Sequence, residues 1–282
     1  VLLFFKIVRK GKNMKILIFL FAILFFSCKS ESNVVYNSWN EIKKRGKIII
    51  GIDEFFPPMT FKEGEKFEGI DVDLANETFS RLGVKTEFVP VVWKDIIHKL
   101  TNREIDIIWS GLSITEERKK VIDFSIPYIQ TRQVIVVPFD SDINAKEDLK
   151  GKIVGVQKGT SSERILIEDN IFKSPTRILF YKDVNSELKA IEEGKISAII
   201  IDEIVAKYFL SKYHKKFKVI QTDLGVELFA VGIRKEDKKL KEKVDTTLTK
   251  LMKNGTEARI FKKWIGETQL FSDYLKRLKE VR

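Results

Sequence analysis

The sequence predicts an α/β protein of two similar lobes, each a mostly parallel sheet flanked by helices. Alternation is the first reason. From Lys152 to Gln221 the chain reads KIVGVQ, SSERILIEDN, RILFY, NSELKAIEEG, ISAIII, EIVAKYFLSKY, FKVIQ, strand and helix in turn. Such alternation builds parallel sheets with right-handed crossovers. Strand type is the second reason. KIIIGID and IDIIW are near-continuous apolar runs, the kind buried inside α/β sheets. A restart is the third. Gly151 to Gln157 echoes Gly46 to Asp53, one residue shorter, and Ile196 to Asp202 echoes Ile105 to Gly111. Chance among Ile-rich strands is the alternative reading of that echo.

The elements follow in order. WNEIKKRG is a short helix before the strand KIIIGID. The two prolines of EFFPPMTF forbid a helix or a central strand there. A turn, KEGEKFEG, leads to the helix DVDLANETFSRLG, with Ala75, Phe79 and Leu82 on one face and Gly83 as its stop. VKTEFVPVV is a strand, and WKDIIHKLTN a helix with Ile96, Ile97 and Leu100 inward. IDIIW follows, then QVIVVP, and after the alternating segment VELFAVGIRK reads as a further strand. The charged helix EDKKLKEKVDTTLTKLMKNG has Leu240, Val244, Leu248 and Leu251 as its buried stripe and ends at Gly255. ARIFKKWIG and an amphipathic piece, FSDYLKRLKEV, close the chain.

Composition narrows the function. The 282 residues are 44% hydrophobic and 32% charged, enough for a sizeable core and about two domains. Formal charge is +11; residues 1–27 hold five basic residues and no acid, and their removal leaves +6. No basic run is interleaved with aromatics, which argues against nucleic acid. Two His and one Cys leave little for a Cys/His zinc site and nothing for an intrachain disulfide.

The single Cys stands in an informative place. Met14-Lys15 precedes the apolar run Ile16 to Phe26, then Ser27-Cys28, then polar KSESN. The run is shorter than the ~20 apolar residues that span a bilayer. It fits a signal-peptide core over residues 1–27, with 1–13 upstream of the true start. Ser27-Cys28 looks like a lipobox, so Cys28 would become the acylated N-terminus and residues 28–37 a lipidated tether. Phe25 and Phe26 depart from the usual lipobox pattern, and a free Cys or an uncleaved anchor are the alternatives.

The segment Ile105 to Tyr128 organises the rest. A strand end, the Ser110-Gly111 corner and the helix start SITEERKK together make an anion site, with free N–H groups pointing outward. Ser113 with Glu116 fits a capping box, and Thr115 is a second cap candidate. Arg118 stands in the first helical turn, where the dipole disfavours a cation. It is either an ordinary surface Arg or a fork reaching a carboxylate in the cleft.

SGLSITEERKKVIDFSIPY closely resembles the run S-G-[ML]-[ST]-I-T-x-E-R-x-x-x-[VI]-x-F-[ST]-x-P-Y of the polar amino-acid family of bacterial extracellular solute-binding proteins, the receptors of ABC importers. The resemblance covers roughly Trp39 to Gly266. It implies a two-lobed type II periplasmic-binding-protein-like fold with a two-strand hinge, crossing near Ile129–Val134 and Val226–Phe229. Lobe 1 would be discontinuous, 38–130 and 228–282, around lobe 2 at 131–227. It implies that Arg118 grips the ligand's α-carboxylate with help from Ser110, Gly111 and Ser113. Asp202 matches the Asp that meets the α-ammonium, an ordinary helix N-cap being the alternative. Thr160 and Ser161 match a G-T-[ST] turn that holds the carboxylate, and both also suit a helix cap. Phe56 and Trp93 match facing aromatics of the site, with plain core packing as the alternative.

The rule that α/β sheets bind ligands at the carboxyl ends of their strands independently nominates Asp53 and the loop to Met59, Trp93, Ser110–Ser113, Gln157 with Gly159-Thr160-Ser161, and Asp202. Asp53 and Gln157 lie where a ligand side chain would run, and with the aromatics they suit a cationic one. Lys158 is the nearby cation that a glutamate site would want, and it should point away. The expectation is a non-enzymatic, monomeric receptor on the periplasmic or cell-surface side. It would need no cofactor or metal, bind arginine before lysine or histidine, and meet ABC permease subunits. The rival is a same-fold cyclohexadienyl or arogenate dehydratase, which would need a proton donor in the cleft, and neither His98 nor His214 lies after a strand end. A sensory input domain is a third reading.

Overall fold

The computed structural model describes residues 37–168, 177–213 and 215–266. Cys28, the leader, most of the tether, Asp169-Asn170, His214 and the closing FSDYLKRLKEV lie outside them. The chain runs α1 (Ser38–Arg45), β1 (Lys47–Ile52), β2 (Phe55–Phe56), β3 (Thr60–Glu63), β4 (Lys66–Glu68), α2 (Ile70–Arg81), β5 (Lys85–Pro90), α3 (Ile96–Thr101), β6 (Ile107–Ile108), α4 (Glu116–Val121), β7 (Ile122–Phe124) and β8 (Ile129–Pro138). It continues through β9 (Ile153–Gln157), α5 (Ser161–Glu168), β10 (Arg177–Tyr181), α6 (Val184–Glu192), β11 (Ala198–Asp202), α7 (Glu203–Lys212), β12 (Phe217–Ile220), β13 (Val226–Phe229), β14 (Gly232–Arg234), α8 (Lys238–Lys253) and α9 (Thr256–Ile265).

Two large sheets carry the two lobes. The first has the order β5-β1-β6-β14-β7 and the second β10-β9-β11-β8-β12. A small sheet, β2-β3-β4, forms where EFFPPMTF and its turn fold back as short antiparallel strands. The alternating segment gives parallel neighbours as expected, β9 beside both β10 and β11. Each large sheet nevertheless contains one antiparallel strand, β14 in the first and β8 in the second. Both enter from the connection between lobes, so their direction is set by the crossing and not by a βαβ unit.

That connection also corrects the reading of VELFAVGIRK as one strand. β13 pairs with the first four residues of β8, and β14 pairs in the other sheet. The break falls at Ala230-Val231. There Ala230 donates to Leu112 O, and Val231 and Ser125 bracket each other. β8 and β13 thus make a two-strand ribbon, the predicted hinge.

Local chemistry explains most ends. Gly46 and Gly83 follow α1 and α2 with positive φ, the expected stops. WKDIIHKLTN begins as a 3-10 turn, Trp93–Asp95, and becomes α-helical only at Ile96. Of IDIIW only Ile107-Ile108 is laddered, because the flanking residues turn into loops that shape the cleft. Leu240, Val244, Leu248 and Leu251 are all fully buried on α8, each contributing about 1.5–3 kcal/mol of burial. Among the described residues no helix is long and apolar enough to cross a membrane, and no His/Cys/Asp/Glu group could hold a metal.

Candidate functional site

The carboxyl ends of β1, β6, β9 and β11 converge on a cavity between the two sheets. The first lobe lines it with Asp53, Phe56, Trp93, Ser110, Gly111, Ser113 and Arg118. The second lobe lines it with Gln157, Thr160, Ser161 and Asp202. These eleven residues are the ligand-binding positions carried over from the sequence, whereas Cys28, the expected lipidation site, lies outside the described residues.

Arg118 is held by backbone and not by a carboxylate. Its guanidinium donates to Ser113 O at 2.8 Å and across the cleft to Gly159 O at 3.0 Å. Burial pulls its pKa down to about 10, opposed by the charges of Glu227 and Asp202, so it stays a cation at neutral pH. The Trp93 ring lies 5.9 Å from the guanidinium carbon, and its Nε1 is buried without a hydrogen-bond partner. Gly159 permits the cross-lobe contact. It has φ +84°, and a Cβ there would lie 2.8 Å from Lys94 Cα.

The Ser110-Gly111 corner is built differently from expectation. Gly111 N–H does not point free; it donates to Asp71 Oδ2 at 2.6 Å. Ser110 Oγ accepts from Asp53 N at 3.0 Å and shares a hydrogen bond with Thr60 Oγ1. Burial raises the Asp71 carboxyl to about 7, against the stabilising Gly111 N–H. Nor is Ser113 the helix cap. Thr115 accepts from Arg118 N at 3.1 Å and caps α4, while Ser113 Oγ donates to Glu227. Helix α4 starts at Glu116, too far along the chain for Ser113 to reach its first N–H groups.

In the second lobe Thr160 does act as a cap. Its hydroxyl accepts from Glu163 N at 3.2 Å and donates to Gln157 O at 2.7 Å. Asp202 occupies the N-cap position of α7 but makes no side-chain cap bond. Its Oδ1 accepts from Gln133 Nε2 at 2.9 Å instead. Burial, and then the neighbouring Glu227 charge, hold the Asp202 carboxyl well above its ordinary range.

At the far end Gln157 Nε2 donates across the cleft to Asp53 Oδ2 at 2.6 Å and, within its own lobe, to Lys182 O at 3.0 Å. Burial raises the Asp53 pKa, and the Gln157 hydrogen bond opposes that shift. Lys158 is exposed, 5.8 Å from the Phe180 ring, and does not line the cavity. A second cavity shares Asp53 and Trp93 and adds Glu54, Lys182 and Asp183.

Three residues were missed. Gln133 bridges Asp202 and Glu227, Glu227 joins Ser113 to Ser161, and Asp71 anchors Gly111. The signal was faint but present: Glu227 is an acid inside the apolar strand VELF, and Gln133 opens the apolar run VIVV. Asp71 reads as an ordinary acid at a helix N-terminus, and nothing local reveals its partner.

Comparison with known proteins agrees with this geometry. The family model described as bacterial extracellular solute-binding proteins, family 3, matches residues 48–267. The arginine-binding extracellular protein ArtP of Bacillus subtilis (strain 168) is 32% identical over 232 residues, covering 81% of this chain and 89% of ArtP. The L-cystine-binding protein TcyJ of Escherichia coli (strain K12) is 30% identical over 230 residues, covering 80% and 85%. The crystal structure of an ABC uptake transporter substrate-binding protein from Streptococcus pneumoniae with bound histidine has a TM-score of 0.77 and 31% identity, over 82% of this chain and 97% of that one. A matched span that takes in both sheets, the ribbon between them and the whole cavity leaves one assignment: the chain belongs to the bacterial extracellular solute-binding proteins, family 3.

Proposed function

We propose that this protein is the receptor of an ABC importer for a polar amino acid, arginine before lysine or histidine. The observation that carries the reading is the placement of Arg118 and Asp202 on opposite lobes of one cavity. A free amino acid enclosed there must have both its charges met, because an unpaired buried ion is prohibitive. Arg118 would meet the carboxylate and Asp202 the ammonium. A ligand held by both lobes favours the closed arrangement, which is what a ligand-driven hinge requires. Lobe limits at 38–130, 131–227 and 228–282 suit that motion.

The charge inventory supports a cationic side chain. Asp53 and Asp202 line the cavity with Arg118, Glu227 stands beside Asp202, and Lys158 adds no cation to the cavity. Phe56 and Trp93 offer aromatic faces to a planar guanidinium, a contribution of about 1–2 kcal/mol when desolvated. A thermal-shift screen tests the ranking: arginine should stabilise most, and greater stabilisation by glutamine or glutamate would overturn it. The adjoining cavity favours a second reading, a longer ligand such as cystine. Its second head group would meet Glu54, Lys182 and Asp183.

An enzymatic role has less support. His98 lies exposed on α3 against Asn102, and among the described residues no His lines the cavity. Conversion of prephenate to phenylpyruvate by the purified protein would reinstate it. Lipid anchoring through Cys28, a monomeric state and docking to permease subunits complete the proposal. Cys28→Ala should abolish metabolic fatty-acid labelling; unchanged labelling would remove the anchor.

A further inference from the structure

Glu227 belongs to no element the ligand would first be expected to touch. It sits on β13, in the ribbon between lobes, directly opposite Thr131 of β8. Two residues along β8, Gln133 is opposite Asp202. Residues two apart on a strand share a face, so Gln133 reaches both acids from one side. Gln133 Nε2 lies 2.9 Å from Asp202 Oδ1 and 3.3 Å from Glu227 Oε2. The same Oε2 accepts from Ser113 Oγ of the first lobe and, at 2.9 Å, from Ser161 Oγ of the second. Oε1 is buried without a hydrogen-bond partner, and the residue is only 7% exposed.

An apolar or amide side chain would be the cheaper occupant of such a position. A second buried carboxylate beside Asp202 is costly unless a positive charge arrives to meet it. Arg118 is one such charge, yet it is tied to two backbone carbonyls and faces two acids. We infer that Glu227 is a positioning residue of the amino-group subsite: it fixes Ser113 and Ser161 across the cleft and leaves this end of the cavity one cation short, which a ligand ammonium supplies. The inference rests on the amino-acid reading above, and adds a residue that makes the amino group obligatory.

Calorimetry with L-arginine, L-lysine, L-histidine, L-glutamine and L-cystine on wild type and Glu227→Gln tests it. Every amino acid that wild type binds should bind the variant at least ten-fold more weakly. The preference for the tightest of them over its α-hydroxy analogue should fall by a similar factor. The ligand-free melting temperature should stay the same or rise, because one of two adjacent buried carboxylates is gone. A merely structural Glu227 would lower the melting temperature and weaken amino acid and analogue alike, and that result overturns the inference. So does wild-type affinity in the variant, which leaves the amino-acid reading intact. Wild type that binds none of the five overturns both. Should Glu227→Gln fail to fold, Ser113→Ala/Ser161→Ala keeps the carboxylate and removes its cross-lobe partners. It should weaken binding yet retain the preference for the amino acid, and unchanged affinity there also overturns the inference.

Discussion

At Gly51 in the first lobe a Cβ would lie 2.4 Å from Ile105 Cδ1; at Gly155 in the second it would lie 2.5 Å from Ile196 Cδ1. The registers correspond as well. Gly51 is opposite Ile108 and Gly155 opposite Ile199, each three residues beyond the isoleucine that fills the glycine's gap. Asp106 N donates to Ile49 O, and Ser197 N to Ile153 O, in the same positions. The echo in the sequence is thus one packing arrangement used twice. What differs is where each repeat ends. Asp53 closes the first β strand and Gln157 its counterpart, and these two meet across the cleft. Gly111 closes the other echoed segment in the first lobe, and Asp202 in the second. The lesson is that the interior of the strand sets the scaffold, while its last residue and the following loop set the chemistry, so a duplicated scaffold can present opposite charges to one ligand.

The largest expected effect tests that opposition. Arg118→Ala removes the first lobe's cation; on the proposed reading this leaves the ligand carboxylate unmet and should cost about 3–5 kcal/mol of affinity. Asp202→Asn should cost less, about 1.5–3 kcal/mol, since an amide still pairs with Gln133. Calorimetry giving equal and small losses would mean the ligand does not bridge the lobes.

Next comes a difference in how the corners are held. The first lobe holds Gly111 with the buried acid Asp71, whereas Ser162 and Gln133, both uncharged, brace the second at 2.7 Å. Asp71 is raised from 3.8 to about 7 in the folded protein. Between those values the native state binds more protons than the unfolded one, so its contribution to stability falls as pH rises through that window. Asp71→Asn should therefore gain on wild type by roughly 3–4 kcal/mol between pH 4 and pH 8, at 1.36 kcal/mol per pKa unit. Parallel denaturant midpoints across that range would show that Asp71 is ionised throughout.

A smaller effect sharpens the repeat itself. A Cβ at Gly155 would also press on Ile199 and Tyr181 at 3.2 Å, whereas at Gly51 it meets only Ile105 closely. Gly155→Ala should destabilise by about 1–3 kcal/mol and Gly51→Ala by less, because one flexible isoleucine end can move. Equal losses would mean the two sites are equally tight. The smallest effect concerns the side-chain end. Trp93→Ala should narrow the arginine-over-lysine difference by about 1 kcal/mol, the scale of a stacked cation. An unchanged ratio would place the guanidinium elsewhere.

The sequence by itself determined most of the local structure and the cavity lining. Apolar runs, capped helices and glycine stops name their elements because those signals act within a few residues. The cavity-lining residues were legible because pockets in such sheets open at strand ends, and a strand end can be read from an apolar run that stops. The ribbon, the antiparallel strands β8 and β14, and the break in VELFAVGIRK were decided by tertiary structure. A run of apolar residues reads alike whichever sheet receives it, and only the partner strand fixes its direction. The same holds for Asp71, Gln133 and Glu227. Each is a polar residue whose role depends on a group between 40 and 114 positions away, so nothing in its own neighbourhood could announce that Gly111, Asp202 or Ser113 would be waiting there.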